Sequence, residues 1–126
     1  MELPVGTSAQ IAMTVTDADT AIALGSGDVP VLGTPRVVAL VEQATLAAIA
    51  EELPDASTTV GTAVELEHLA PTPVGRTVTA EATLTSVDGR RLAFDVFVMD
   101  RDTLAARGTV RRVIVDRERF IAGASS

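Results

Sequence analysis

The stretch Thr34-Pro35-Arg36-Val37-Val38-Ala39-Leu40-Val41-Glu42-Gln43-Ala44-Thr45-Leu46-Ala47-Ala48-Ile49-Ala50-Glu51-Glu52 reads as a single long helix with marked ends. Thr34 suits an N-cap, and Pro35 suits the first turn, where its missing N–H costs nothing. Leu53-Pro54-Asp55 closes it, because the residue before a proline is pushed out of the helical region. Between Val37 and Ala50 the apolar residues fall on every face, broken only by Glu42, Gln43 and Thr45. Such a helix is expected to be buried. At about 1.5 Å per residue it spans roughly 27 Å, short and polar-ended for a membrane span. The expectation is a central helix with the rest of the chain wrapped around it, and a carboxylate, Glu42, at its middle.

The 126 residues suit one domain, 1–126, with a substantial core. Aromatic residues are scarce, so Val, Leu, Ile and Ala must build that core. There is no Cys, which excludes disulfides, thiolate metal sites and a Cys nucleophile. All ten basic residues are Arg, and the formal net charge is −7. That charge argues against a nucleic-acid partner. No basic segment followed by an apolar run opens the chain, so no signal peptide and a soluble, cytoplasmic setting are expected.

Ahead of the helix, Ile11, Met13 and Val15 alternate with smaller or polar residues, as in a half-buried strand. Asp17 to Leu24 reads as a short helix capped by Asp17 or Asp19. Gly25-Ser26-Gly27-Asp28 breaks it. These glycines match no GxGxxG or Walker spacing, and a plain connector explains them. After Pro54 the period becomes two. Val60, Val64, Leu66 and His68 are expected on one face, Glu65 and Glu67 on the other. Ala70 to Gly75 is a turn or crossover. Arg76 to Val87 and Arg90 to Met99 alternate cleanly about the Asp88-Gly89 hairpin signal. Leu104 to Val115 is the last strand, with a bulge expected near Gly108. Asp116 to Ala122 is a short terminal piece. Strand, buried helix and four further antiparallel strands in a meander imply an α+β layer. A single small sheet leaves edge and helix surface that a symmetric dimer would cover.

The run Val31-Leu32-Gly33-Thr34-Pro35, then Glu42, then Gly61 through Ala80 with Gly61-Thr62-Ala63-Val64-Glu65-Leu66-Glu67-His68, resembles the hotdog-fold acyl-CoA thioesterases, and among them the fluoroacetyl-CoA thioesterase-like group. The likeness continues through Ser86 to Leu92 and Gly108-Thr109, covering about Gly25 to Phe120. It implies a hotdog fold, an antiparallel sheet wrapped around one long central helix, and a homodimer with the option of a higher oligomer. It implies hydrolysis of a short or medium acyl-CoA thioester to free acid and CoA. Thr34, Glu42 and His68 fall on that group's catalytic positions, and Gly33, Gly61 and Arg112 on substrate contacts. No cofactor and no membrane are implied. The fluoroacetyl-CoA enzymes carry several Phe residues before the helix. Gly25 to Gly33 has none, so thioester hydrolysis is expected without fluorine selectivity.

Each candidate also has a plainer reading. Glu42 in an apolar helix must be paired, protonated or in contact with water. As a catalytic group it would direct a water or attack the thioester itself, and both routes stand open. His68 faces inward by strand parity and could be an ordinary core histidine. Beside a buried acid it could instead relay a proton to the leaving thiolate. One His without Cys is too few ligands for a metal. Capping alone would account for Thr34; helix N-terminal N–H groups beside it could stabilise an oxyanion. Arg90-Arg91 and Arg111-Arg112 are simplest as solvated strand residues, with CoA phosphates as the other reading. The rival to the hydrolase is a dimer that binds an acyl-CoA or other small ligand without turnover. A hotdog hydratase would bring an Asp-and-His motif that is not evident here.

Overall fold

The computed structural model describes residues 3–125. The chain runs β1 (Ser8–Thr14), a 3-10 turn (Asp17–Asp19), α1 (Ala21–Leu24), α2 (Thr34–Ile49), β2 (Ser57–His68), β3 (Thr77–Asp88), β4 (Arg91–Asp100), β5 (Thr103–Asp116) and α3 (Arg117–Ala124). One antiparallel five-stranded sheet has the order β1-β3-β4-β5-β2. The fold is α+β, with the sheet curled around α2. No helix of the described residues is long and apolar enough to cross a membrane.

The four later strands do not form a simple meander. Only β3, β4 and β5 do; β2 crosses over to pair with β5 at the far edge. The Leu69–Arg76 connection, with two prolines, is long enough to cross, and strand periodicity says nothing about the side to which it goes. The hairpin at Asp88 turns on Gly89 and Arg90, where Gly89 takes φ +61, a conformation glycine adopts without steric cost.

Helix α2 lies chiefly on β1 and β3. Val37, Leu40, Val41, Ala44, Ala48 and Ile49 pack against Val78, Ala80, Ala82 and Leu84 of β3 and Leu92, Phe94, Val96 and Val98 of β4. A fully buried Leu such as Leu40 stabilises by about 1.5–3 kcal/mol. The helix is not buried all round. Ala39, Gln43, Leu46 and Ala47 are exposed, so its apolar surface forms a buried face and an open one. It ends at Ile49, three residues short of Glu52, because Ala50 already serves as its C-cap.

Several local expectations are corrected. Gly33, not Thr34, is the N-cap of α2, and no side chain caps it. The Thr34 hydroxyl is turned elsewhere. Asp17 to Leu24 is two pieces: a 3-10 turn held by a Thr16–Asp19 capping box, and α1 capped by Thr20. In β2 an extra residue intervenes between Gly61 and Ala63, at Thr62. That bulge reverses the side-chain parity. Thr59 and Gly61 therefore share the inner face with Val64, Leu66 and His68, and Val60 does not. The expected bulge at Gly108 is absent. The irregularity in β5 falls at Ala105, between the pairs Val98–Ala106 and Met99–Leu104. Gly108 instead permits close approach, since a Cβ there would collide with the Glu65 carbonyl.

Candidate active site

Two short segments bring the start of α2 beside the end of β2. The backbone of Leu32 donates to the Thr72 carbonyl at 2.9 Å, and Leu69 N–H donates to Ala105 at 2.7 Å. Gly33 N–H donates to Asp19 O at 2.9 Å. Gly33 is buried, and a Cβ on it would stand 3.1 Å from the Ala21 backbone. A side chain here would force the Ala21 backbone or Leu24 to give way by a few tenths of an ångström, so glycine lets α1 and α2 meet this closely without strain. The Asp19 carboxylate takes hydrogen bonds from Thr16 N–H at 2.8 Å and Thr16 Oγ1 at 2.9 Å, and pairs with Arg36 at 3.2 Å. Burial works to raise its pKa, but these donors outweigh it and hold the carboxyl below its ordinary value.

The first product of this scaffolding is a pair. Thr34 Oγ1 lies 2.8 Å from His68 Nδ1. Beside them is a cavity of about 320 Å³ lined by Ala21, the Ser26–Val29 loop, Val31 to Thr34, and His68 to Pro71. None of its lining residues is aromatic apart from His68. Burial lowers the His68 pKa from its ordinary 6.5, favouring the neutral ring. His68 Nε2 is buried and has no hydrogen-bond partner among the described residues. A buried polar atom without a partner points to a group supplied from outside the chain.

The second product is a clamp on Glu42. Its Oε2 accepts from Arg112 Nη1 at 3.2 Å. Arg112 Nε donates to Thr59 Oγ1 at 2.8 Å and Nη2 to Thr59 O at 3.0 Å. The Glu42 side chain is 33 % exposed and that of Arg112 only 6 %. Burial lowers the Arg112 pKa and the Glu42 charge works against that. Arg112 is thus not a solvated strand residue. Inner-face parity with Val110 and Ile114 was the signal for this. Gly61 pairs with Arg112 across the strands. A Cβ on Gly61 would lie 2.5 Å from Glu42 Oε2, so the carboxylate sits directly over bare backbone.

The six residues singled out from the sequence thus fall into two groups. Gly33, Thr34 and His68 line one cavity; Glu42, Gly61 and Arg112 form the clamp. No hydrogen bond joins the groups among the described residues. Thr59, which anchors the clamp, was not foreseen. Its parity with Gly61 was the only hint, and the bulge at Thr62 obscures it.

Comparison with known proteins identifies the family. The family described as fluoroacetyl-CoA-specific thioesterase matches residues 15–118. The chain is 39% identical over 92 residues to the fluoroacetyl-CoA thioesterase of Streptantibioticus cattleyicolor. That match takes in 73% of this chain and 66% of the relative, just under two thirds of its length. A solved structure of the fluoroacetyl-CoA thioesterase FlK superposes with a TM-score of 0.93 at 31% identity, over 99% of this chain and 97% of that one. A Thermus thermophilus protein described as a thioesterase superfamily member superposes with a TM-score of 0.88 at 25% identity, over 96% of this chain and 90% of that one. The fold is the hotdog fold, as residues 31–80 suggested, and the chain belongs to the fluoroacetyl-CoA-specific thioesterase family.

Proposed function

We propose that this protein hydrolyses short or medium acyl-CoA thioesters at two composite sites of a cytoplasmic homodimer. Thr34 and His68 come from one subunit and Glu42 from the other. The observation that carries this reading is the separation of the two groups within one chain. Thr34 and Glu42 are eight residues apart on α2, roughly 12 Å along its axis. One thioester carbon is out of reach of both side chains of the same copy. A second copy with its α2 antiparallel would bring Glu42 of the partner subunit to Thr34 and to the unpartnered His68 Nε2. The open face of α2 and the free edge of β2 are the surfaces such a copy would cover.

In this site the Thr34 hydroxyl and backbone N–H sit at the start of α2, where they can hold the carbonyl oxygen as it gains charge. The Glu42 carboxylate takes a proton from water as that water adds to the carbonyl carbon, or attacks the carbon itself to give an anhydride that water then opens. The C–S bond breaks and the CoA sulfur receives a proton by way of His68. The products are the free acid and CoA thiol. The cavity bounded by Gly27, Val29, Val31 and Ala70 suits a small acyl chain.

The test is a panel of acyl-CoAs assayed for thiol release, with Glu42→Gln and His68→Ala beside the parent. Each substitution should lower kcat by at least about a hundredfold, the scale of a lost general acid–base group, with the fold intact. Binding of acyl-CoAs without thiol release would favour the non-catalytic ligand-binding dimer and overturn the hydrolase reading.

A further inference from the structure

We infer that Arg112 is a positioning residue for Glu42: anchored on Thr59, it fixes Glu42 Oε2 above Gly61 and leaves Oε1 as the oxygen that works on the thioester. This rests on the reading that Glu42 does the chemistry, and it departs from the substrate contact that the family resemblance implies for Arg112. All three side-chain nitrogens of Arg112 already have protein acceptors: Nε and Nη2 on Thr59, Nη1 on Glu42. The guanidinium is buried, while the carboxylate it holds is one-third exposed. The opening therefore lies on the Glu42 side of the pair. A CoA phosphate reaching Arg112 would have to displace one of these acceptors.

The arrangement also selects its residue types. A guanidinium presents a rigid fork that can grip the Thr59 carbonyl and hydroxyl together, with a further N–H left for the carboxylate. A lysine is a point charge on a flexible stem and could not hold both ends in register. Gly61 sets the depth of the seat. Any side chain there would push the Glu42 carboxylate outward, since its flexible end yields more easily than the sheet. Among the described residues Glu42 Oε1 has no hydrogen-bond partner, so it is the oxygen left for water or for the thioester carbon.

The experiment uses the full chain and two substrates that share one acyl group. One is the acyl-CoA; the other is the acyl N-acetylcysteamine thioester, which lacks the nucleotide. Arg112→Gln should lower kcat about a hundredfold, as small misplacements of a reacting group do, and KM for the acyl-CoA should stay within about twofold. The loss should be equal for the two thioesters. Combined with Glu42→Gln, it should add nothing further. Thr59→Val keeps the shape and removes one anchor, so it should give the same pattern at about tenfold, even if Arg112→Gln does not fold. Arg112→Lys should recover little of the lost kcat. A loss confined to the acyl-CoA, expressed in KM, would make Arg112 a CoA contact and overturn the inference. Normal kcat in Thr59→Val and in folded Arg112→Gln would overturn it too. Failure of the underlying reading looks different: Glu42→Gln would then itself turn over normally.

Discussion

The Thr34 hydroxyl and His68 Nδ1 stand 2.8 Å apart although 34 positions separate them in the chain. The contact exists because α2 begins where β2 ends, with the Thr72 and Ala105 carbonyls tying the intervening loops. A threonine expected to cap a helix has its oxygen committed to an imidazole instead. That imidazole keeps its second nitrogen buried and, among the described residues, unpartnered.

The pH dependence of hydrolysis should report this histidine. Desolvation places its pKa below the ordinary 6.5 in the folded chain, so the neutral ring persists to lower pH than in an exposed histidine. A rate that needs neutral His68 should fall to half only below pH 6.5. Stability runs the same way. Below 6.5 the unfolded chain takes up the proton first, so His68 costs stability progressively until the pH passes its lower folded pKa. A kcat/KM profile whose acid limb has its midpoint at or above 6.5 would refute the assignment.

Selectivity for fluorine should be weak. The cavity beside Thr34 and His68 is lined by Ser26, Gly27, Asp28 and Val29, with no Phe. A pocket of small residues discriminates poorly between acyl groups of similar size. Acetyl-CoA and propionyl-CoA should show similar kcat/KM. A large preference for fluoroacetyl-CoA over acetyl-CoA would show that selectivity arises without aromatic residues in this loop.

Association should depend on the open face of α2. Leu46 is 42% exposed there, between Gln43 and Ala47. Sedimentation should find a dimer at micromolar concentration. Leu46→Asp should weaken it at least about tenfold by placing an unpaired charge in the contact, while circular dichroism stays unchanged. A folded wild-type monomer under those conditions would remove the composite site along with the dimer.

Much of this architecture was readable because its signals are local. Strand β4, and β3 up to the register shift after Leu84, alternate strictly, with Val78 to Leu84 and Leu92 to Val98 buried at every second residue. Helix α2 announces itself by its length and by Pro35 and Pro54. What stayed hidden depends on distant partners. The crossover that puts β2 beside β5 rests on long-range pairing that no local pattern encodes. The Thr62 bulge changed which side of β2 faces the helix, and with it the role of Thr59. Arg112 looked solvated because an arginine on a strand usually is. Its burial makes sense only with Glu42 opposite, 70 positions away.

Mixed dimers offer the sharpest test of how the two groups combine. Take one chain with Thr34→Ala and one with Glu42→Gln, each nearly inactive as a homodimer. In the heterodimer, one site receives Thr34→Ala from one chain and Glu42→Gln from the other. The second site receives wild-type Thr34 and wild-type Glu42. Activity should therefore return on subunit exchange, up to about half the wild-type level per heterodimer if the sites act independently. Sites built within single chains would each keep one lesion, and the heterodimer would stay as inactive as its parents. The comparison needs Thr34→Ala to remain folded, and the structure favours that. Gly33 is the N-cap, so no capping hydrogen bond is lost; what goes is the single bond to His68. Thermal melts of Thr34→Ala should show a loss of no more than about 1 kcal/mol, the net scale of one hydrogen bond. A much larger loss would mean that Thr34 supports the fold, and a verified heterodimer with no recovered activity would refute the cross-subunit site.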